Sequence, residues 1–445
     1  MSDSLSNVPR SSQQDRTSFI YMLAAGAPII WIVPLIAQYF AIGDYWDRLL
    51  YDRSTWPTMV QGGGYLAFLT MVVMALLLFR RTFQPAAMPK FVLFYYAFFL
   101  VSAFAAIGSI DPFRSAVYCF IGASMVWASA KYWQLFSDKA FLIIRLIAPT
   151  VLIILILMIM LLGIEGRFIG GNLPNNIGKI CYVLLCTGML WRNGWKYLFI
   201  LAAVGLALML SSRSTLSAML AFGLAYQLIA AASTRLQSFK RSVIMMAVGT
   251  AILVPTSALL INTPIVRSAL ALDSSDRGLG SGLTGRTDYW KVGTKLVAEK
   301  PIFGWGFRTR LSGTDAIETR NFEIQSAHSG VINLVVDTGV VGFLLMGFGY
   351  LGGILFYIRE YVKLNVDNAV SMQAWREERS LLLRVSISFL IGFIPYWFIE
   401  PNYLNFGTAD FPITMLFIFS CLTAKRLGRS TYTDGYDRQN NLRLA

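Results

Sequence analysis

Residues 140–164 read "AFLIIRLIAPTVLIILILMIMLLGI", a run of 25 residues in which Arg145 is the only charged side chain. A helix of this length, rising about 1.5 Å per residue, is long enough to cross a hydrocarbon layer of about 30 Å. Comparable runs recur along nearly the whole 445-residue chain, which is 56% hydrophobic and has a mean hydropathy of +0.57. A soluble domain of this length does not need so apolar a composition. The sequence therefore predicts an all-α integral membrane protein.

The apolar runs number about twelve, and each predicts one transmembrane helix. They lie at 18–40, 59–79, 91–110, 115–134, 140–164, 176–191, 196–211, 214–233, 242–262, 328–357, 381–399 and 408–424. The predicted organisation is a tail at 1–17, helices one to nine within 18–262, a long external loop at 263–327, helices ten to twelve within 328–424 and a tail at 425–445.

Lysine and arginine concentrate in alternate connections between these runs. One set of connections holds Arg80, Arg81, Lys90, Lys131, Lys139, Arg192, Lys196, Arg235, Lys240, Arg241, Arg359, Lys363, Arg376, Arg379 and Arg384, and both tails are also basic. The other set holds little more than Arg48, Arg53, Arg114, Arg167 and Lys179. Because short cytoplasmic loops carry the excess of positive charge, we expect both termini in the cytoplasm and residues 263–327 outside.

Several classes of function are disfavoured by the composition. The formal net charge of +14 does not indicate nucleic-acid binding, because most of it lies in predicted cytoplasmic loops near anionic headgroups. All four cysteines lie in apolar spans, and no His, Cys and carboxylate cluster has metal-ligand spacing, so neither disulfides nor a metal site is predicted. A transporter is disfavoured by the lack of a recognisable repeat and by few charges within spans, of which Arg145 and Asp337 are the clearest. We expect snorkelling for Arg145 and a hydrogen-bonded helix-packing role for Asp337.

The external segment contains one amphipathic helix. Thr284 can cap a helix through "RTDYWKVGTKLVAEK", residues 286–300, which ends before Pro301. Its predicted apolar stripe is Tyr289, Val292 and Leu296, and its predicted solvated lysines are Lys291, Lys295 and Lys300. The following "FGWGFR", residues 303–308, lacks the strand-to-helix context of a nucleotide-binding loop, and its glycines predict a tight re-entry turn.

Four local patterns carry a resemblance to a known family. They are "EGRFIGGNLPNNIG" at 165–178, "SSRST" at 211–215, "LTGRTDYW" at 283–290 with "KPIFGWGF" at 300–307, and "SAHSGVINLVVDTGVVGF" at 326–343. Their order, their spacing and the long external loop before His328, the single histidine, resemble the O-antigen ligase and polysaccharide polymerase superfamily. The resemblance covers about 165–345, while the first four helices match only in topology. One departure is Ser329, where many members have asparagine.

The resemblance implies a reaction on the periplasmic face of the bacterial inner membrane. Members transfer an undecaprenyl-diphosphate-linked glycan to an acceptor hydroxyl, without a nucleotide sugar, a bound metal or a cofactor. The chemistry suits the residues present, because guanidinium groups at Arg213 and Arg286 can hold the oxygens of a diphosphate leaving group. An imidazole at His328 can accept the proton of the attacking hydroxyl near neutral pH.

Each of these three residues also has a structural interpretation. Arg213 suits a snorkelling position at a helix end, Arg286 a solvated charge on the amphipathic helix, and His328 a hydrogen-bonded helix cap. The motif context favours the functional interpretation for all three. Further candidates for binding the glycan substrate are Arg167, Asn172, Asn176, Trp290, Glu323 and Glu400.

The resemblance leaves more than one function open. "GLTGRTDYW" followed by "KPIFGWGF" resembles exopolysaccharide polymerases more than ligases, which favours polymerisation of exopolysaccharide or O-antigen repeat units. The alternative is an O-antigen ligase that acts on lipid A-core, and the alternative of another class is a lipid-linked oligosaccharide flippase or transporter. The expected partners are membrane lipids, a flippase and a chain-length regulator.

The charge pattern predicts the result of reporter fusions. A reporter fused after Ser281 is expected to read periplasmic, and one fused after Asn368 is expected to read cytoplasmic. Paired alkaline phosphatase and green fluorescent protein fusions measure this, because each is active on one side of the membrane. A reversed result at either position would place the arginines of the candidate site on the wrong side.

Overall fold

The computed structural model describes residues 88–109, 112–135, 140–162, 173–192, 194–210, 212–235, 286–307, 329–366, 373–399 and 417–420, with single residues near 66–73 and at 244 and 248. These residues form helices and turns without a strand. The helices are α1 (Lys90–Ala105), α2 (Pro112–Leu135), α3 (Ala140–Leu162), α4 (Leu173–Gly188), α5 (Gly194–Met209), α6 (Arg213–Arg235), α7 (Arg286–Glu299), α8 (Gly330–Val366) and α9 (Gln373–Ile399).

Five stretches of this part are long and apolar enough to cross a membrane: Lys90–Gly108, Ala140–Leu157, Arg213–Ala231, Gly330–Leu364 and Arg376–Phe398. α4 and α5 contribute two shorter apolar helices, as the two predicted spans at 176–191 and 196–211 require. α2 is helical across its predicted span but less apolar than these five. An all-helical membrane protein is thereby confirmed, while the number of twelve helices and the long external loop stay predictions. The predicted spans at 18–40, 59–79, 242–262 and 408–424 lie wholly or mostly outside the described residues.

α6 and α8 both run antiparallel to α9. Near its start, α6 contacts the end of α9 through Thr215 and Tyr396, and further along it Tyr226 lies 5.1 Å below the guanidinium of Arg384. α8 and α9 are joined by six residues, 367–372, and therefore fold back on each other. α6 and α8 consequently begin at the same end of the bundle, which is called the outer end from here on. The opposite end is the inner end.

Basic and acidic side chains meet at the inner end. Arg192, in the connection between α4 and α5, forms an ion pair with Glu377 of α9 at 3.5 Å. Trp191 donates its indole N–H to the carbonyl of Arg145 at 2.9 Å, and the Arg145 guanidinium lies 4.2 Å above the indole ring. The basic connections around 192 and 376 therefore share one end, as the charge pattern predicts. The side of the membrane that this end faces stays a prediction.

α8 is interrupted near the outer end. Gly339 has φ 66° and ψ −172°, which no α-helical residue adopts. In a regular α-helix the amides of Val340 and Val341 donate to the carbonyls of Val336 and Asp337. The break removes both hydrogen bonds and divides α8 into an outer arm, Gly330–Thr338, and a longer inner arm, 340–366.

The turn at 300–307 supplies the partners that the break removes. The four hydrogen bonds run from Trp305 N to Val336 O (2.9 Å), Gly306 N to Asp337 O (2.9 Å), Val340 N to Pro301 O (2.8 Å) and Val341 N to Ile302 O (3.3 Å). These four backbone groups of α8 are therefore satisfied within the protein, as a lipid environment requires. We call this arrangement of residues 300–307 and 336–341 the interlock.

Glycines permit the close approach of the two backbones in the interlock. Gly304 and Gly306 both have positive φ, 69° and 120°, which confirms the tight turn that the sequence predicts. A Cβ atom at Gly304 would lie 2.5 Å from the carbonyl oxygen of Val336, and one at Gly339 would lie 2.1 Å from that of Ile302. Neither position has room for a side chain.

Side chains attach the interlock to the neighbouring helices. The buried ring of Phe307 packs edge-on against Phe98 and Phe99 of α1, with centroid separations of 5.6 and 5.8 Å. Lys300 donates to the carbonyl of Gly108 at 3.3 Å and lies 4.2 Å from the ring of Trp305. Lys300 is partly exposed, and the turn offers its ammonium a carbonyl and an aromatic face. The predictions of exposure for Lys291 and Lys295 are confirmed.

We expect Gly339→Ala to weaken the interlock. A residue with a Cβ atom at positive φ costs about 1 to 3 kcal/mol from the backbone alone, and the contact with Ile302 adds to that cost. The matched control is Gly347→Ala in the inner arm of α8, where a Cβ atom would meet nothing within 4 Å. Thermal unfolding in detergent should give a lower melting temperature for Gly339→Ala and an unchanged one for the control. Equal curves for both variants would show that the interlock does not hold α8.

Candidate functional site

"SSRST" forms the N-terminal turn of α6 at the outer end. Arg213 is its first helical residue and is half-buried, between the buried Ser212 and Ser214. The hydroxyls of Ser212 and Thr215 lie 2.7 Å apart, and Thr215 also hydrogen-bonds the hydroxyl of Tyr396 on α9. Leu216 N donates to the carbonyl of Ser212 at 3.0 Å, as expected at a helix start. These hydroxyl contacts fix the backbone that carries Arg213 against α9.

α4 approaches the same turn closely. A Cβ atom at Gly178 would lie 2.0 Å from the Thr215 hydroxyl oxygen and 2.6 Å from that of Ser212. Glycine at this position therefore allows α4 to contact the start of α6 directly. One helix turn further in, Tyr182 of α4 donates its hydroxyl to the carbonyl of Phe389 on α9 at 2.9 Å. α4 and α9 thus both contact the first turn of α6, which carries Arg213.

Ser329 begins α8. It is buried, its hydroxyl accepts a long hydrogen bond from Ile332 N at 3.5 Å, and its carbonyl accepts one from Asn333 N at 2.9 Å. These contacts are those of an N-cap, a position at which serine and asparagine serve about equally well. The departure from the asparagine of many superfamily members therefore preserves the capping function next to His328.

α7 packs along the outer arm of α8. Leu296 and Val336 are fully buried against each other, and Val292 and Ile332, each one turn earlier on its helix, pack against them. Trp305 joins the far ends of the two helices, because its indole N–H donates to Leu296 O at 3.0 Å and its amide donates to Val336 O at 2.9 Å. α7 and the outer arm therefore run side by side in the same direction.

The contact between Leu296 and Val336 fixes where α7 and α8 begin relative to each other. Arg286 lies ten residues before Leu296, and Gly330 lies six residues before Val336. At 1.5 Å per residue, the two starts are roughly 15 and 9 Å from the shared contact at Trp305. The backbone at Arg286 and the residues that follow His328 are therefore directed to one end of the same helix pair.

The predicted site residues differ in how far the structure describes them. Arg213 is described in full, as is Trp290, which is half-buried on α7 and has a buried indole N–H without a hydrogen-bond partner. The backbones of Arg286 and Asn176 are described as parts of α7 and α4, but their side chains are not. The residues outside the described part are His328, Arg167, Asn172, Glu323 and Glu400. A common site for all of them stays a prediction.

Of two buried ionisable residues, the sequence placed one differently. Lys179 was counted with the charges of an external loop, but it lies inside α4 and is 3% exposed. Its position three residues before the buried Tyr182 was the available signal for a helical residue. Asp337 is buried at the break in α8, where its backbone carbonyl accepts a hydrogen bond from the amide of Gly306. Both lie in the outer half of the bundle.

Residues 184–347 match the family model of the O-antigen ligases. This segment, somewhat more than a third of the chain, runs from the middle of α4 into the inner arm of α8. It includes Arg213, Arg286, Trp290 and His328. The match confirms the resemblance to the O-antigen ligase and polysaccharide polymerase superfamily. No curated protein matches the chain.

We expect Thr215→Val to loosen the start of α6. The substitution keeps the shape of the side chain but leaves the hydroxyls of Ser212 and Tyr396 without their shared partner, at a cost of about 1 to 3 kcal/mol. The control is Ser217→Ala, because that hydroxyl bonds only the carbonyl of Ser214 within the same helix. Thermal unfolding should separate the two variants. A melting temperature of Thr215→Val equal to that of Ser217→Ala would contradict a fixing role for the contact between α6 and α9.

Proposed function

We propose that this chain, which carries the O-antigen ligase segment at 184–347, is a membrane glycosyltransferase that uses an undecaprenyl-diphosphate-linked glycan as donor. The acceptor is a hydroxyl group, and the reaction takes place at the outer end of the bundle, on the periplasmic side of the bacterial inner membrane. The supporting observation is that the matched segment contains three helix starts, those of α6, α7 and α8, which carry or directly follow Arg213, Arg286 and His328.

The two arginines hold the leaving group. Transfer breaks the bond between the anomeric carbon and a diphosphate oxygen, so negative charge accumulates on undecaprenyl diphosphate as it departs. Arg213 and Arg286 are the first residues of α6 and α7, where the unpaired amides of a helix also favour an anion. A guanidinium adds two parallel hydrogen bonds and a charge that persists at any physiological pH.

His328 activates the acceptor. The attacking hydroxyl oxygen forms the new bond to the anomeric carbon, and its proton passes to a ring nitrogen of the imidazole. The proton is then released to water or to the departing diphosphate, which restores the base. The N-cap at Ser329 fixes the backbone that directly follows His328 in the sequence, which supports this role.

Trp290 contributes to substrate binding. Its buried indole N–H has no partner within the protein and is therefore available to a hydroxyl or phosphate oxygen of the donor. Arg167, Asn172, Asn176, Glu323 and Glu400 remain proposed contacts of the glycan.

We favour polymerisation, in which the acceptor is a second repeat unit or a growing glycan chain. The favouring observation is the similarity of "GLTGRTDYW" and "KPIFGWGF" to exopolysaccharide polymerases. Ligation to lipid A-core is the second candidate, because the matching family model is that of the O-antigen ligases. A flippase would deliver the donor and a chain-length regulator would act on the product. A flippase or transporter function for this chain itself is the candidate from another class, and absence of any glycosidic product would favour it.

Purified protein supplied with a lipid-linked donor and an acceptor tests the roles separately. His328→Ala should lower turnover by about 10²- to 10⁴-fold while donor binding stays nearly intact, because a general base acts in the chemical step. Arg286→Lys should lower both donor affinity and turnover, because lysine keeps the charge without the two-pronged geometry. Lys291→Ala, which removes an exposed charge of the same helix, is the matched control.

Three outcomes would contradict the proposal. Near-normal product from well-folded His328→Ala would exclude the imidazole as the base. Loss of product in EDTA that magnesium or manganese restores would assign charge neutralisation to an ion rather than to the arginines. Product with lipid A-core as acceptor, but none with repeat units alone, would replace polymerisation by ligation.

A further inference from the structure

Lys179 is a buried cation within a membrane helix. Only 3% of its surface is exposed, and it lies in α4 with the apolar residues 180–186 directly after it. Ionisable residues inside transmembrane helices are costly, and those that persist generally face the protein interior and mark a pathway or a binding site for a charged ligand. The position of Lys179 therefore makes it a candidate for contact with a charged ligand.

Lys179 lies near the face of α4 that contacts α6 and α9. Tyr182 lies three residues later on the same face, where its ring packs against Phe222 of α6 at 6.2 Å and its hydroxyl reaches Phe389 of α9. The preceding residue, Gly178, contacts the first turn of α6. Because side chains tilt toward the N-terminus of their helix, the Lys179 ammonium projects toward the outer end.

The first turn of α6 presents further groups suited to an anion. Arg213 begins the helix, so its guanidinium adds to the partial positive charge of the helix start. The hydroxyl of Ser214 belongs to the same turn; that residue is 2% exposed, and its oxygen has no hydrogen-bond partner. A buried hydroxyl without a protein partner is unfavourable, and a ligand or a water can complete it.

We propose that Lys179 and Ser214 join Arg213 in binding the diphosphate of the lipid-linked donor. The identity of the anion rests on the proposed function, whereas the geometry of the site does not. Lys179 lies five residues before the segment that matches the O-antigen ligase family, so the match does not imply this role. The ammonium supplies a compact charge and three donors, Arg213 supplies a planar fork, and Ser214 supplies one hydroxyl donor.

This assignment predicts an effect on affinity more than on turnover. A cation that holds the diphosphate before and during transfer contributes equally to substrate and transition state, so its loss raises KM with little change in kcat. Lys179→Met removes the charge and keeps a long apolar side chain. It should weaken the binding of undecaprenyl diphosphate by about 10- to 100-fold, the range for one charge-assisted hydrogen bond. Lys179→Arg should recover part of that loss, and Ser214→Ala should weaken binding severalfold.

Binding is measured on protein in nanodiscs of phosphatidylglycerol. This anionic lipid saturates any site that binds ordinary anionic lipids. Undecaprenyl diphosphate, undecaprenyl monophosphate and undecaprenol are titrated in parallel, and the wild-type preference should follow that order. Lys131→Met is the control, because Lys131 is a half-buried lysine on α2 that bonds Gln134 at 3.1 Å, far from the outer end. Its affinity for undecaprenyl diphosphate should equal that of wild type.

The outcomes separate this proposal from the proposed function. Wild-type affinity in Lys179→Met of normal melting temperature would overturn the role of Lys179, whether or not the protein forms product. If Lys179→Met fails to fold, unchanged binding in both Lys179→Arg and Ser214→Ala would overturn it instead. A wild-type protein that binds undecaprenyl diphosphate through Lys179 but forms no glycosidic product would retain this site and refute the transferase.

Discussion

The hydrogen bonds that α8 loses at Gly339 are replaced by four from the turn at 300–307, and the arrangement of the outer end depends on this exchange. A transmembrane helix cannot leave amides and carbonyls unpaired in lipid, so the break is stable only while the turn occupies it. The turn itself requires Gly304 at positive φ and Phe307 in the aromatic cluster of α1. The interlock therefore makes α1, α7 and both arms of α8 interdependent.

This dependence gives "KPIFGWGF" a structural meaning. Lys300 bonds the turn after α1, Trp305 joins α7 to the outer arm of α8, and Phe307 anchors the turn in the core. None of these contacts involves a reacting group. The motif is better understood as the element that holds α7 beside the outer arm, and thus holds the backbone of Arg286 in a set relation to the start of α8. A superfamily signature need not consist of catalytic residues, because precise placement of such residues also constrains sequence.

The sequence predicted those features that follow from local patterns. Amphipathic spacing predicted α7, the two short apolar runs predicted the hairpin of α4 and α5, and the glycines of "FGWGFR" predicted a turn. The break at Gly339 was not predictable, because glycine is common in membrane helices and the compensating groups lie some 35 residues earlier in the chain. Counting charges per connection assigned Lys179 to an external loop, although the predicted span at 176–191 already contains this residue. The residues of the catalytic proposal came from the resemblance, and of these the structure describes Arg213 in full.

A recessed pair of cations suits a substrate that arrives from the membrane. In the proposed reaction the polyprenyl chain of the donor would stay among the lipid tails, which would hold its diphosphate at the depth of the headgroups rather than free in water. Charges on solvated loops would be screened and too far out, whereas Lys179 and Arg213 sit within the bundle, on helices that touch at Gly178 and Thr215. On this proposal, the buried position of these cations favours a diphosphate carried on a lipid over a soluble phosphate.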